Sequence, residues 1–480
     1  MAGRAFRSGP TRVDDCIQWV KKRVHGRVFR PSMRVPSIRA LAQERGVSPF
    51  TVAEAYGQRV ASGYLEARRG SGFYIRDRAK PPRVSSGPPR PQIDLSWLLR
   101  TMLADSAARG PGLCLLPADW LASVDLGSAL RSLGREATSQ WLLNGNRRGF
   151  EPLRAVLQQR LAQLDIVARS EQIVLTTGIT HALELVLRTL VAPDDAVLVL
   201  DPCWFGALGK LTAYGSRIVS VPLTAGGPDL AAMERVALEH KPRLLIINSV
   251  AQNPTGTSLS DEAIARILDI ARRHDILIFE DDVYADLCDS AKPRLAAADN
   301  LDRVVYAGSF SKTLATNIRV GYLACRPDLA DRLSDAKILS GFTTPELNER
   351  LVHKLLIENK YARHVQRLRR RLTESRLRAV ELLTEAGLKI FGASADGMFL
   401  WVNVGCDSDK LAVRCSERGI LLAPGSLFSP RGTPSDWMRV NVTTDPELTL
   451  ACLRDASSLT PPPAGGRSGR RIVVPINNAQ

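Results

Sequence analysis

Residues 276–282 read ILIFEDD, and residues 303–312 read RVVYAGSFSK. Each is a short apolar run that stops abruptly at acidic or small polar residues. The same pattern recurs in IVLTTG (173–178), VLVLDP (197–202) and RLLIINS (243–249). Longer amphipathic stretches separate these runs, and Ala182 to Leu190 has helical spacing. Short strands alternating with helices predict an α/β domain with a largely parallel sheet. In open sheets of this kind, ligands bind beyond the carboxyl ends of the strands. The residues just after each run are therefore the candidates for chemistry.

Such places carry groups that suit one cofactor. Lys312 follows a strand beside Ser309 and Ser311; an amine that forms a Schiff base needs an electron sink nearby. Ser-x-Ser-Lys is a weak signal alone. Asp281 ends the strand ILIFED, where a carboxylate could keep a pyridine nitrogen protonated, and Tyr284 could hydrogen-bond a ring phenolate. A capping Asp with a core Tyr would look the same. Asn253, in Asn-Pro-Thr-Gly, could donate to that phenolate or simply make a turn. Gly178 and Ile179 open a helix, whose N–H groups bind phosphate well, and Arg319 adds a cation. Trp204, after strand 197–200, could stack on a ring or fill a core. Arg439, in the apolar strand pattern MRVNVT, calls for a partner, since an unpaired buried charge is costly. A bound carboxylate or an internal salt bridge would serve.

The charge of the chain is uneven. Of its 65 Lys/Arg and 49 Asp/Glu, residues 1–90 hold 19 and 6, while residues 91–460 balance at 43 of each. A neutral body with a basic head predicts a polyanion partner for the head, although a solubilising tail would also be basic. Val13, Ile17, Val20 and Val24 give residues 12–28 a helical stripe. Ser37 can cap a helix from Ile38 to Arg45, ended by Gly46. Ser48-Pro49 starts the next helix, with Val52, Ala55, Tyr56 and Val60 as its buried stripe and Gly63 as its end. Helix, glycine turn, helix is the helix-turn-helix signature. YLEARRGSGFYI (64–75) then reads as a hairpin with a basic, glycine-rich tip. A small helical docking domain would share part of this pattern.

Residues 77–92, DRAKPPRVSSGPPRPQ, include five prolines and read as a linker; 456–480 read as a disordered basic tail. These divide the chain into a head at 10–76 and a body at 93–455. Eight scattered cysteines without Cys-x-x-Cys spacing exclude an obvious zinc site and fit a reducing cytosol. No secretory signal and no membrane span are expected, so the reading is cytoplasmic.

The head, from VPSIRALAQERGVSPFTVAEAYGQRVASGYLEARRGSGFYI, resembles the GntR-type winged helix. The resemblance implies double-stranded DNA as partner. It points to Arg39, to Ser48, Phe50 and Thr51 at the recognition helix, and to Arg68, Arg69 and Gly70 in the wing. Many relatives have Arg where this chain has Pro49, so hydroxyls and DNA shape carry more of the expected readout. The body resembles the fold type I pyridoxal-phosphate aminotransferases, with Gly178, Trp204, Asn253, Asp281, Tyr284, Lys312, Arg319 and Arg439 in matching order and spacing. By that resemblance Lys312 forms the Schiff base and Asp281 pairs with the ring nitrogen. Asn253 and Tyr284 hold the ring oxygen, and Trp204 stacks on the ring. Gly178, Ile179, Ser309, Ser311 and Arg319 hold the phosphate, and Arg439 takes a carboxylate. Relatives carry Tyr, reaching the neighbouring subunit's phosphate, where this chain has Asn144. Head, linker and body together resemble the MocR subfamily of GntR regulators. That implies a homodimer that senses an amino compound; a working aminotransferase with an accessory head is the other reading.

Overall fold

The computed structural model describes residues 12–13, 15–17, 19, 33–61, 65–68, 71–75, 95–103, 110–135, 143–288, 292–392 and 396–454. The expected linker and tail, and Val20, Val24, Gly63, Arg69 and Gly70, lie outside these. Contacts divide the chain into two units, Met1–Arg90 and Pro91–Gln480.

In the first unit, helix α1 is Ile38–Arg45 and α2 is Pro49–Ala61. Ser37 caps α1 by accepting from the Ala40 N–H (3.2 Å), and Gly46 ends it at φ 62°. That left-handed conformation is open to glycine at no steric penalty. Ser48 Oγ accepts from the Thr51 N–H at 3.1 Å, capping α2. Val52, Ala55 and Tyr56 are fully buried, and they close a small core with Leu41, Leu65 and Ile75. Strands β1 (Leu65–Arg68) and β2 (Gly72–Ile75) pair antiparallel as the hairpin. The chain at Met33–Val35 runs along β2, with Val35 N–H to Phe73 O and Ile75 N–H to Met33 O both 2.9 Å.

The second unit is built on an eight-stranded sheet. Its strands are β3 (Ile173–Thr176), β4 (Ala196–Asp201), β5 (Arg217–Thr224), β6 (Gly227–Pro228), β7 (Leu244–Ile247), β8 (Leu277–Asp281), β9 (Val304–Ser309) and β10 (Gly321–Ala324). Their spatial order is β3-β10-β9-β8-β7-β4-β5-β6. The centre, β9-β8-β7-β4-β5, is parallel; β10 is antiparallel to both its neighbours and β6 to β5. Successive side chains of a strand face opposite ways, so each strand feeds two cores. Ile278 and Tyr306 pack on one face, beside helix α3 (Glu151–Ala162). Phe279 and Ala307 pack on the other, beside α4 (Ile179–Leu190) and α5 (Phe205–Tyr214).

A long helix, α6 (Lys360–Glu385), leads to a second, antiparallel sheet. Its strands are β11 (Lys389–Ile390), β12 (Phe399–Asn403), β13 (Ala423–Pro424) and β14 (Trp437–Asn441), in the order β11-β12-β14-β13. Leu368 and Leu372 of α6 share its core with Phe399, Val402 and Val440. The segment Gly110–Leu116 runs between the two sheets. Gly112 N–H donates to Leu421 O, Asn441 N–H to Pro111 O, and Asn441 Nδ2 to the carbonyls of Leu113 and Leu115. No helix among the described residues is long and apolar enough to cross a membrane.

Candidate functional site

The carboxyl ends of the central strands bring the candidate residues of the body to one place. Gly178, at φ 81°, precedes α4, whose first N–H groups lack helical partners. A Cβ on Gly178 would lie 2.7 Å from Arg319 Nη2, and at this positive φ any other residue is strained. Arg319 is held in turn. Its Nη2 donates to Thr177 O (2.8 Å) and its Nη1 to Ser311 Oγ (3.3 Å). Ser309 Oγ donates to Ser311 Oγ at 3.2 Å and accepts from the Ser311 N–H at the same distance. Burial pulls the Arg319 guanidinium below its ordinary range. A cation, two hydroxyls and a helix start thus share one bay, with no carboxylate paired to the cation among the described residues. This donor set fits a phosphate.

Asp281 is buried at the end of β8. It lines a small space with Trp204, Asn248 and Gln252. Its Oδ1 accepts from the Val283 N–H at 3.2 Å, a local turn contact. Burial pushes the carboxyl up to about 7, against that N–H and the Asn248 amide. Trp204, half-buried, is the N-cap residue of α5; a Cβ on Gly206 would meet its indole at 2.3 Å. Asn253 Nδ2 donates to Tyr284 Oη (3.2 Å), and Tyr284 packs edge-on against Phe399 of the second sheet. Burial raises the Tyr284 phenol, so it remains a neutral donor.

Lys312 Nζ donates to Cys114 O at 2.7 Å and lies 3.6 Å from Cys114 Sγ. Burial pushes the Cys114 thiol up, but Lys312 and Arg439 outweigh it and the net shift is down. Arg439, on β14, is fully buried. Nη1 donates to Asn253 Oδ1 (3.1 Å), Nη2 donates to Gly112 O (2.8 Å), and the group stacks 4.3 Å from the Phe399 ring centroid. Its Nε has no hydrogen-bond partner, and no acid pairs with it among the described residues. The internal salt bridge that the sequence allowed is not what holds it. The chemistry of these groups fits a phosphate at the Arg319 bay, a ring between Trp204 and Asp281, and a carboxylate at Arg439.

Cys114 and Gly112 were not singled out in the sequence. They act through backbone carbonyls, which any residue type offers, and they stand nearly 200 residues or more before their partners. Asn144 is exposed, while neighbouring Arg147 and Arg148 both pair with Asp331, at 2.7 and 2.6 Å.

In the head, Arg39 and Phe50 are exposed, Phe50 at 78%. Thr51 is partly exposed, and its Oγ1 lies 2.8 Å from Ser48 Oγ, so these two hydroxyls are tied to each other at the start of α2. Arg68 lies over the Tyr74 ring at 4.4 Å, with Nε 3.3 Å from Glu66.

Comparison with known proteins agrees with both units. Residues 127–454 match the family model for aminotransferase class I and II, and residues 14–75 that for bacterial regulatory proteins of the gntR family. The HTH-type transcriptional regulator YdcR of Escherichia coli is 29% identical over 88% of this chain and 92% of its own length. A 2-aminoadipate transaminase of Thermus thermophilus is 31% identical over 62% of this chain and 75% of its own. The crystal structure of LysN, the α-aminoadipate aminotransferase of Thermus thermophilus, complexed with N-(5'-phosphopyridoxyl)-L-leucine, superposes with a TM-score of 0.69. It is 28% identical, covering 77% of this chain and 95% of that one. Pyridoxal 5'-phosphate is the cofactor of this fold. The chain belongs to the class I and II aminotransferase family and, joining that domain to a gntR-type head, is a transcriptional regulator of the MocR type.

Proposed function

We propose that the chain binds DNA through its head, residues 10–76, and senses a small amino compound through pyridoxal phosphate in its body, residues 93–455. One observation carries the reading: Arg439, fully buried and without an acidic partner among the described residues, bonds the Gly112 carbonyl, two residues from the Cys114 carbonyl that Lys312 bonds. A buried guanidinium bonded only to neutral groups is poised for a carboxylate.

Gly178, Ile179, Ser309, Ser311 and Arg319 hold the phosphate in this reading. Trp204 covers the ring, Asp281 keeps a proton at the ring nitrogen, and Asn253 and Tyr284 donate to the ring oxygen. When bound, the cofactor supplies an aldehyde that condenses reversibly with primary amines. Lys312 is the resident amine, and an effector's amine competes with it. Lys312, once displaced, has the Cys114 carbonyl within reach as an acceptor. Arg439 selects effectors that carry a carboxylate.

Arg39, Ser48, Phe50, Thr51, Arg68, Arg69 and Gly70 form the DNA-facing surface of the head. The protein works in the cytoplasm as a homodimer whose two heads read two half-sites. The effector acts by differing in affinity for two arrangements of the dimer. A coupling of about 1–3 kcal/mol changes operator affinity by roughly 5–150-fold. The likeness to a 2-aminoadipate transaminase favours a second reading, an active aminotransferase with an accessory head.

The test follows cofactor absorbance and DNA affinity in one sample, with amines bearing or lacking a carboxylate. Borohydride should fix the cofactor on Lys312. Amines that change the spectrum should change DNA affinity, and Lys312→Ala should uncouple the two. An amine that fully converts the spectrum, leaves DNA binding untouched and accumulates as a keto acid would select the enzyme reading.

A further inference from the structure

Helix α6 carries eight Lys and Arg and three acids in its sequence KYARHVQRLRRRLTESRLRAVELLTE. Residues 91–460 balance at 43 of each sign, so the rest of that span has an excess of five acids. The positive charge of the neutral body is gathered on one element.

The helix sorts its residues by face. Tyr361, His364, Val365, Leu368 and Leu372 are buried. Arg363, Arg367, Arg370 and Arg371 are exposed, at spacings that align them along the opposite side. Glu374, Glu381 and Glu385 share that side but lie farther along, so the first half of the helix is basic and the stripe stops near Arg371. Arg363 Nε donates to Asn359 O and Arg367 Nη2 to Ser123 O, both at 3.3 Å. These carbonyls orient the two groups without neutralising them. Among the described residues no acid pairs with Arg363, Arg367 or Arg370, and Arg371 reaches Asp119 at 3.9 Å. Arg367 and Arg370 also edge an open depression with Gln366 and the half-buried Arg369. Like charges at these spacings weaken a helix, a tension that a bound polyanion relieves.

We propose that this stripe is a second DNA-contacting surface, on the body, which grips the phosphate backbone of the duplex that the head binds. The inference rests on the DNA-binding reading of the head. Guanidinium forks match phosphate oxygens. A duplex held by the head of the same chain is present at high effective concentration, so individually weak contacts add to the affinity. From Arg363 to Arg370 the helix rises about 10 Å, over which one strand of an aligned duplex carries about three phosphates. Such contacts add affinity and salt dependence and carry no sequence information.

The test uses the full-length, cofactor-loaded protein and a random-sequence duplex of about 60 base pairs, with affinity measured across a salt series. Replacing Arg363, Arg367 and Arg370 together by Gln should reduce the slope of log affinity against log salt by about 2–3 and weaken binding at least about tenfold. The same three changed to Lys should keep the slope, since counterion release follows charge. Arg169, Arg188 and Arg235, exposed elsewhere on the body, are changed to Gln as a control of equal charge and should leave the slope near wild type. If the triple Gln variant fails to fold, Arg370→Gln alone should still lower the slope by about 0.9. A wild-type slope and affinity in the α6 variants overturns the proposal. So does an equal loss in the control, which would make the effect one of net charge. Arg68→Ala tests the head separately: a loss there with none in the α6 variants keeps the head reading and discards this one, and the reverse pattern keeps the α6 surface and discards the wing contact.

Discussion

Gly178→Ala puts one methyl group into the phosphate bay. At φ 81° and ψ 176°, Gly178 occupies a region essentially closed to other residues, and holding alanine there costs about 1–3 kcal/mol. The added Cβ would also lie 2.7 Å from Arg319 Nη2. Arg319 cannot swing away freely, because Thr177 O and Ser311 Oγ hold it. The strain must surface in one of two measurements. If the loop keeps its shape without cofactor, the folded body loses the energy and melts lower. If the loop relaxes, it must be rebuilt on binding, and cofactor affinity falls roughly 5–150-fold. Equilibrium dialysis with pyridoxal phosphate and melting of the cofactor-free protein measure the two shares. Adding Arg319→Ala removes the contact but leaves the backbone strain, so this second substitution should have a smaller effect on top of Gly178→Ala than in the wild type. A Gly178→Ala protein with unchanged melting and unchanged cofactor affinity would refute the geometry of the bay.

Three substitutions test the rest of the reading. Arg68→Ala should weaken DNA binding and reduce the slope of log affinity against log salt by about 0.9 if it contacts one phosphate, whereas Thr51→Ala should change sequence preference more than slope; salt titrations on two DNA sequences separate these. Asp281 has a folded pKa raised to about 7 by burial, so the folded cofactor-free protein binds its proton more tightly than the unfolded chain does. Its contribution is fully present below the ordinary Asp value near 4 and is lost as pH rises to about 7. Asp281→Asn should flatten the fall in melting temperature of the cofactor-free body over that window. Glu280, also raised to about 7, keeps part of the fall, and an unchanged profile would show that Asp281 is not the titrating group.

Much of this was open to reading along the chain, for local reasons. Ser37, Gly46 and Ser48 mark helix ends because capping depends on residues three or four positions apart. The buried strands announce themselves because apolar runs of that length must enter a sheet. The parallel order of the strands and the candidate pocket could be inferred because the chemistry sits at strand ends, a position fixed by the βα alternation itself.

The run Glu280-Asp281-Asp282 shows where local reading stops. Composition presents three equal acids. The fold sends Glu280 to Ser249 and to the N–H groups of Leu295 and Ala296, at 2.9 and 2.7 Å. It sends Asp281 to the space beside Trp204 and Asp282 to Arg294 and the Tyr306 hydroxyl. The same holds for Arg439: its strand pattern told of a buried charge, but not whether an acid or a ligand answers it. That was decided by the Gly112 carbonyl and by Asn253 Oδ1, brought together from segments well over a hundred residues apart. Side-chain direction along a strand is set by sequence parity, whereas the identity of the facing group is set by which distant strand, helix or loop the packing of two sheets places opposite it.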